Sequence, residues 1–537
     1  MRRLLFSHLA ILALVQFMLS ITLSSPSLAQ EWKYRVEPKG ILKVVDLHDP
    51  HLSTQMNYAE GLVALDKDNN TVACLAEDWR WLDDRTIEFK LREGVRFHNG
   101  ERFNAKAVSV NWDAYTRMEN PIVVRFANLS DETIFQIADE YTVRFTFPEP
   151  DGLALVKFQD FFLFAPAFFT EHKFDEGTWG YLPEAGPWGS GPFELVEGSV
   201  SLGKLSDRVV LEAHEDYWDR RYPMVRRVIF DNALIGNRKE AMRLCRETEG
   251  TVDLVNFIRP LDTLKVAESV FAKVIKSKDV VICGGTFNQR KKDSKWRDVR
   301  LRKAVNYSVN REELLRYCAR GNAYNLEGFF IPPGAYGHNP NLTPYTYDTN
   351  KARSLLAEAD YPNGFGLKII TWESWKLEVQ IIKRMLERVG INVELDVLPR
   401  HEYLGKVYIP ILDKPPEESD WDIMFGDLHD VYGHTGASLL AWPYIESSDF
   451  RWIEYDSKYE QMWEKMAMTV DPEVQEEMIR QLVKYNYDNA YSLLVYSPLT
   501  LYAVNKQVDF VPQKDMSLRL KETSVNDNHW SIRGETE

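Results

Sequence analysis

The sequence predicts an α/β or α+β protein built from more than one domain. Two observations carry this. Stretches in which apolar and polar residues alternate with period two are mixed along the chain with stretches of helical spacing. The 537 residues also exceed what one core holds, at about 150 residues per domain. The sequence has no long Gly/Ser/Pro linker, low-complexity tract or long repeat. The domains are therefore expected to pack together, not to hang on a tether.

The elements follow in order. Residues 41–46 read as a first strand. Residues 85–92 read as another, because Thr86-Ile87-Glu88-Phe89-Lys90-Leu91 alternates strictly. Tyr141 to Phe147 is a third, ended by Pro148. Gly186-Pro187-Trp188-Gly189-Ser190-Gly191-Pro192-Phe193 has the glycines of a phosphate cradle. The strand-like Phe193-Glu194-Leu195-Val196 after it makes it a turn instead. Helical spacing covers Val299 to Tyr317. It returns over Lys351 to Ala359, after the capping candidates Asp348 and Thr349, and over Glu378 to Val389, before Gly390. Asn392 to Leu398 alternates as a strand. Pro472 to Ala490 is a long amphipathic helix, with Asp471 as cap and Pro472 at its first position.

The first thirty residues differ from the rest. Arg2 and Arg3 precede the apolar run Leu9 to Leu23, and Ser27-Leu28-Ala29 places small residues before a cleavage point after Ala29. This is the pattern of a cleaved secretory signal, with the mature chain starting near Gln30. The run is shorter than the roughly 20 residues of a spanning helix, and no Cys follows it, so a lipoprotein is not expected. Export permits disulfides. Cys74, Cys245, Cys283 and Cys318 allow three complete pairings, and buried thiols are an equal alternative.

Lys and Arg total 65 against 80 Asp and Glu, a formal net charge of −15. An acidic chain without a basic tract disfavours nucleic acid and anionic membranes as partners. The common nucleotide-binding, hydrolase, zinc-protease and EF-hand motifs do not occur in the sequence. Two loops after strands are rich in Asp and His: Asp46-Leu47-His48-Asp49-Pro50-His51, and Asp427-Leu428-His429-Asp430-Val431-Tyr432-Gly433-His434. They read as polar loops, as contacts to a non-metal ligand, or as metal ligands.

An ordered set of short stretches carries a family resemblance. Leu75-Ala76-Glu77-Asp78-Trp79 runs on to Phe89-Lys90-Leu91-Arg92-Glu93-Gly94-Val95-Arg96-Phe97-His98-Asn99-Gly100. Then come Gly189-Ser190-Gly191-Pro192-Phe193 and Asp298-Val299-Arg300-Leu301-Arg302-Lys303-Ala304-Val305-Asn306-Tyr307. Asn310-Arg311-Glu312, Ile331-Pro332-Pro333-Gly334, Leu355-Leu356-Ala357-Glu358-Ala359 and Gly364-Phe365 follow. In order and spacing these resemble the extracellular solute-binding proteins of the peptide/nickel class, family 5, which feed ABC importers.

The resemblance implies an α/β, two-lobed periplasmic-binding-protein-like fold (type II, the large cluster with an extra inserted subdomain). Such a fold has mixed sheets and a hinged ligand cleft. After a signal peptide at 1–29, lobe I is expected from 30–55, 190–285 and 500–537. The insert is expected at 56–189 and lobe II at 286–499. Carried over residue by residue, Asp430 follows the apolar strand and Gly426, where relatives hold a peptide's amino group. Thr54 matches a polar contact from the first lobe, Trp372 a cleft-edge position, and Arg400 and Tyr403 a cleft wall. Asp427 and His429 make this site more acidic and richer in imidazole than the family pattern, which puts an ordinary dipeptide in doubt. The function implied is a non-catalytic, cofactor-free, monomeric periplasmic subunit that captures a peptide or peptide-like solute for ABC permease subunits. Rivals on the same fold bind a metal chelate, haem or an oligosaccharide. Rivals of another class are an exported hydrolase and a chaperone-like binder.

Overall fold

The computed structural model describes residues 35–533, apart from 49, 118–128, 131, 172–183, 202–203, 280, 327–330, 332, 344, 408–415, 430–439, 442–443 and 447–450. The signal-like segment lies outside the described residues. Among the described residues, no helix is long and apolar enough to cross a membrane.

The chain folds as two lobes, each on a mixed sheet. The first sheet has seven strands, ordered Ala272–Ser277, Thr500–Asn505, Leu254–Val255, Lys39–Val45, Val225–Asp231, Arg208–Ala213 and Phe193–Glu197. Lys39–Val45 is central, pairing in parallel with Val225–Asp231 and Leu254–Val255, and its Leu42, Val44 and Val45 are fully buried. The second sheet has six strands, ordered Ala323–Tyr324, Ser492–Pro498, Val281–Phe287, Ile423–His429, Gly366–Trp372 and Asn392–Leu398. Val281–Phe287 spans the boundary expected at 285/286 and lies wholly in this second sheet.

A third, four-stranded antiparallel sheet runs Ala76–Trp81, Thr86–Leu91, Thr142–Thr146 and Ile134–Asp139. Its inner face is aromatic: Phe145 lies 4.7 Å from Phe158 and 5.1 Å from Trp112, ring centre to ring centre. These rings belong to one continuous core with Leu42, Val44 and Phe230 of the seven-stranded sheet. The glycine-rich turn joins the two. A Cβ on Gly189 would stand 1.8 Å from the Tyr58 carbonyl oxygen, so only glycine lets this turn reach the end of the helix Pro50–Tyr58.

The lobes are joined where neighbouring strands cross from sheet to sheet. Ala272–Ser277 pairs antiparallel with Thr500–Asn505 in the first sheet, with Ser277 opposite Thr500. Their continuations, Val281–Phe287 and Ser492–Pro498, pair in the second, with Cys283 opposite Tyr496. Two adjacent connections thus form the hinge.

Most expected elements appear within a residue or two. Asp348 accepts from Asn350 N and Lys351 N to cap Thr349–Glu358, and Asp471 caps Pro472–Asp488. The long helix expected over 299–317 breaks in two, Val299–Ser308 and Arg311–Leu314, followed by a wide π-helical turn, Leu315–Ala319. Asn310 causes the break, because its side chain accepts from Glu313 N and starts a new helix. Arg311 is buried and serves the fold: it donates to the Leu494 carbonyl at 2.6 Å and to Asn306 Oδ1 at 2.7 Å. All four cysteines are buried free thiols. Burial pushes the Cys245 thiol up to about 12.

Candidate ligand-binding cleft

The apolar strand Ile423–His429 leads from the second-lobe core toward the hinge. Ile423 and Phe425 are fully buried on one face, and Asp427 continues that face two residues on. The helix Lys376–Glu387 packs on Gly366–Trp372 and Asn392–Leu398 of the same sheet and presents Glu378 from its first turn. From the first lobe, the strand Leu254–Val255 runs into a turn at residues 257–261. These parts enclose a cavity of 360 Å³, lined by both lobes and by the crossover residues Pro498, Leu499 and Thr500. That is a size suited to a small ligand.

The second-lobe wall is tied together. Tyr496 donates its hydroxyl to Glu378 Oε1 at 2.8 Å. Burial raises the Glu378 carboxyl above its ordinary value, against the pull of that hydrogen bond. Trp375 Nε1 donates to Asp427 Oδ1 at 2.7 Å. Trp372 lies edge-on to Trp375, at 6.3 Å and 81°, and 4.7 Å from Tyr403. The first-lobe wall carries His48 stacked on Phe257, at 4.3 Å and 10°. Phe257 takes a left-handed φ of 53°, and Arg238 donates to its carbonyl. Arg259 is exposed on the same wall.

The structure brings Trp372 and Asp427 of the expected site residues into this cavity. Gly426 acts beneath it: a Cβ there would stand 2.3 Å from Trp372 Cζ3, so the missing side chain makes room for the indole. Tyr403 is 1% exposed and packs in a core with Ile370, Met424 and Trp452, supporting Trp372 without lining the cavity. Thr54 is fully buried in Pro50–Tyr58 and donates to the Pro50 carbonyl at 2.7 Å, away from the cavity lining. Arg400 begins the helix Arg400–Val407, and His429 ends its strand. Their side chains, and all of Asp430, lie outside the described residues. Among the described residues, no group of three or more His, Cys, Asp or Glu is placed to hold a metal.

Phe257, Arg259, Trp375, Glu378 and Tyr496 were not predicted from the sequence. Glu378 left a signal: it occupies an apolar helical position, four residues before Ile382. Phe257-Ile258-Arg259-Pro260 left only a Pro after an apolar strand.

The comparisons with known proteins fit this architecture. Residues 70–445 match the description "Bacterial extracellular solute-binding proteins, family 5 Middle". The chain belongs to this family. As a family 5 solute-binding protein, it is 26% identical over 361 residues to the glutathione-binding protein GsiB of Pectobacterium atrosepticum, covering 65% of each chain. It is 27% identical to the heme-binding protein A of Haemophilus influenzae, covering 54% of each. It is 23% identical to the dipeptide-binding protein of Escherichia coli, covering 81% of this chain and 82% of that one. Among solved structures, it superposes on NikA from Brucella suis in complex with Fe(III)-EDTA with a TM-score of 0.75. That match has 19% identity and covers 91% of this chain and all of the other. DppA from Helicobacter pylori in complex with the peptide STSA gives 0.73 at 20% identity, covering 91% and 98%. The structural likeness carries the fold of this solute-binding protein.

Proposed function

We propose that the protein is the solute-capturing subunit of an ABC importer. It is exported through cleavage near Ala29 and binds a peptide-like solute or a metal complex by closing its two lobes. The observation that supports this best is the 360 Å³ cavity, lined from both sheets beside the two strand crossovers. Rotation about that pair of connections would bring the walls together, and a closed cleft strengthens each polar contact by excluding water. Capture without chemistry is consistent with how the cavity's acids are engaged: Asp427 is held by Trp375, and Glu378 by Tyr496. Peptide, glutathione and haem binders among the relatives leave the solute open within this class.

Native mass spectrometry of protein exported by its own host, followed by release and identification of the bound molecule, tests the reading. The expected result is one small solute released on denaturation. That solute should raise the melting temperature on return and shrink the radius of gyration in solution scattering. A protein that carries nothing is not the proposed subunit if peptides, glutathione, haemin, nickel–histidine and oligosaccharides also leave its melting temperature unmoved.

A further inference from the structure

The glycine-rich turn between the four-stranded and seven-stranded sheets is gripped by two histidines that do not line the cleft. His98, in the loop after Thr86–Leu91, donates its backbone N–H to the Gly189 carbonyl at 2.9 Å. Its ring Nε2 lies 2.9 Å from the Gly191 carbonyl oxygen. A carbonyl only accepts, so Nε2 carries the ring hydrogen. His214, directly after Arg208–Ala213, donates its backbone N–H to the Pro192 carbonyl at 2.9 Å. Its Nδ1 lies 2.6 Å from Glu194 Oε1. That contact holds the Glu194 carboxyl below its ordinary value, so Glu194 accepts and Nδ1 carries the hydrogen here. One nitrogen of each ring is left over, His98 Nδ1 and His214 Nε2. Both are buried and have no hydrogen-bond partner among the described residues. The two rings lie 4.7 Å apart, centre to centre, and are tilted by 52°.

We propose that this histidine pair is an acid-release latch: it holds the turn between the two sheets while both rings are neutral and lets go when His98 takes a second ring proton. A proton on His98 Nδ1 puts a positive charge in a buried place beside the His214 ring. Burial, and then the His214 ring, hold His98 down at about 4, against the hydrogen bond to Gly191 and the Glu194 carboxylate. His214 and Glu194 are thus the titratable groups that act on His98. Glu194 is already engaged by His214. The turn meets His98 with backbone carbonyls, and Glu101, on the loop of His98 itself, accepts from Asn99 and from the Ala167 N–H. The unfolded chain takes up the proton near pH 6.5 and the folded site near pH 4. The latch therefore has its full strength above about pH 6.5 and weakens by about tenfold per pH unit down to about pH 4. The apolar core shared by the two sheets does not titrate, so the release is local to the turn. The latch is independent of the solute.

The test is hydrogen exchange read by mass spectrometry on the full mature chain at pH 7.5, 5.5 and 4.5, with the intrinsic exchange rate at each pH divided out. Protection at residues 95–101 and 186–193 should fall by about tenfold at pH 5.5 and by nearly a hundredfold, roughly, at pH 4.5. Thr86–Leu91, in the adjoining sheet, should keep its protection. H98Q puts an amide nitrogen near the place of the ring Nε2, keeps a donor for the Gly191 carbonyl and does not titrate. Its turn should hold the same protection at all three pH values. Nitrogen-15 NMR of histidine-labelled, unaltered protein gives a second reading that needs no variant. His98 should be neutral with its hydrogen on Nε2 at pH 7.5, and its protonation should coincide with the loss of protection. Turn protection that follows Thr86–Leu91 at every pH overturns the proposal, and so does the same acid loss in H98Q. A His98 ring that stays neutral while the turn is released overturns it as well.

Discussion

The two walls of the cleft are built on different plans. The second-lobe wall is braced: Tyr496 holds Glu378, Trp375 holds Asp427, and Trp372 is set between Gly426 and the buried Tyr403. The first-lobe wall is a turn in which Phe257 adopts a left-handed backbone and Arg259 and Leu261 are exposed. A braced wall fixes its geometry before the ligand arrives, so little ordering cost remains at binding. A turn on a rigid sheet can change its side chains with little effect on the core, which is where specificity is most easily altered. The difference teaches that stability and selectivity are separable here, and substitutions on each wall put that to the test.

The largest effect is expected at the hinge that joins the walls. Asp279 lies between Ala272–Ser277 and Val281–Phe287, is 1% exposed, and accepts from the Ser277 hydroxyl. Its Oδ2 has no hydrogen-bond partner among the described residues. Burial pushes its carboxyl from 3.8 up to about 7, aided by Asp515 and opposed by the hydroxyls of Ser277 and Thr500 and by Lys514. The folded protein therefore keeps this proton up to about pH 7, whereas the unfolded chain loses it near pH 4. Stability contributed by this residue falls as pH rises through that window and is constant above it. Asp279→Asn should be close to neutral near pH 4 and stabilising above pH 7, by at most roughly 4 kcal/mol. Urea unfolding across this pH range checks it. A gain that is the same at pH 4 and pH 8 would show that the charge is not the cause.

The next effect separates the walls. Gly426→Ala places a Cβ 2.3 Å from the Trp372 ring, which is backed by Tyr403 and has little room to move. Overpacking of this kind costs about 1–3 kcal/mol. Gly236, in the first lobe just before the helix Arg238–Glu247, has nothing within 4 Å of an added Cβ. Gly236→Ala should stay within about 0.5 kcal/mol of the parent. Thermal melts of the two variants compare the braced wall with an open position of the first lobe. Equal melting temperatures would mean that the bracing is not rigid.

How much of this was readable in the sequence depends on whether the signal is local. Thr86–Leu91, Asn392–Leu398 and the caps at Asp348 and Asp471 follow from alternation and side-chain chemistry within a few residues. The break at Asn310 was missed because the apolar spacing continues through it, while the Asn side chain competes for a backbone N–H. Of the cleft, Trp372 and Asp427 come from the family resemblance, and both stand in the last residues of apolar strands. Tyr403 and Thr54 have the right residue type but are buried, which spacing alone does not reveal. Arg259 and Asp427 line one cavity only because the two lobes face each other, a long-range fact with no local trace.

Among substitutions of residues that line or support the cleft, the smallest effect on stability is expected from Phe257, and it is the sharpest separation of stability from selectivity. The ring is half-buried and stacks on His48 at 4.3 Å, a contact worth about 1 kcal/mol. The left-handed backbone at this residue costs a non-glycine residue roughly 1–2 kcal/mol. Phe257→Ala loses the stack and keeps the strain, so it should be less stable by about 1 kcal/mol or less. Phe257→Gly loses both and should melt at or above the temperature of Phe257→Ala. Both variants remove the same ring from the cavity and should weaken binding of the solute released from the native protein to a similar degree. Melting temperature and calorimetric affinity, measured on the pair, separate the two quantities. If the glycine variant recovers affinity along with stability, the ring acts only through the fold, and the first-lobe wall is as structural as the second.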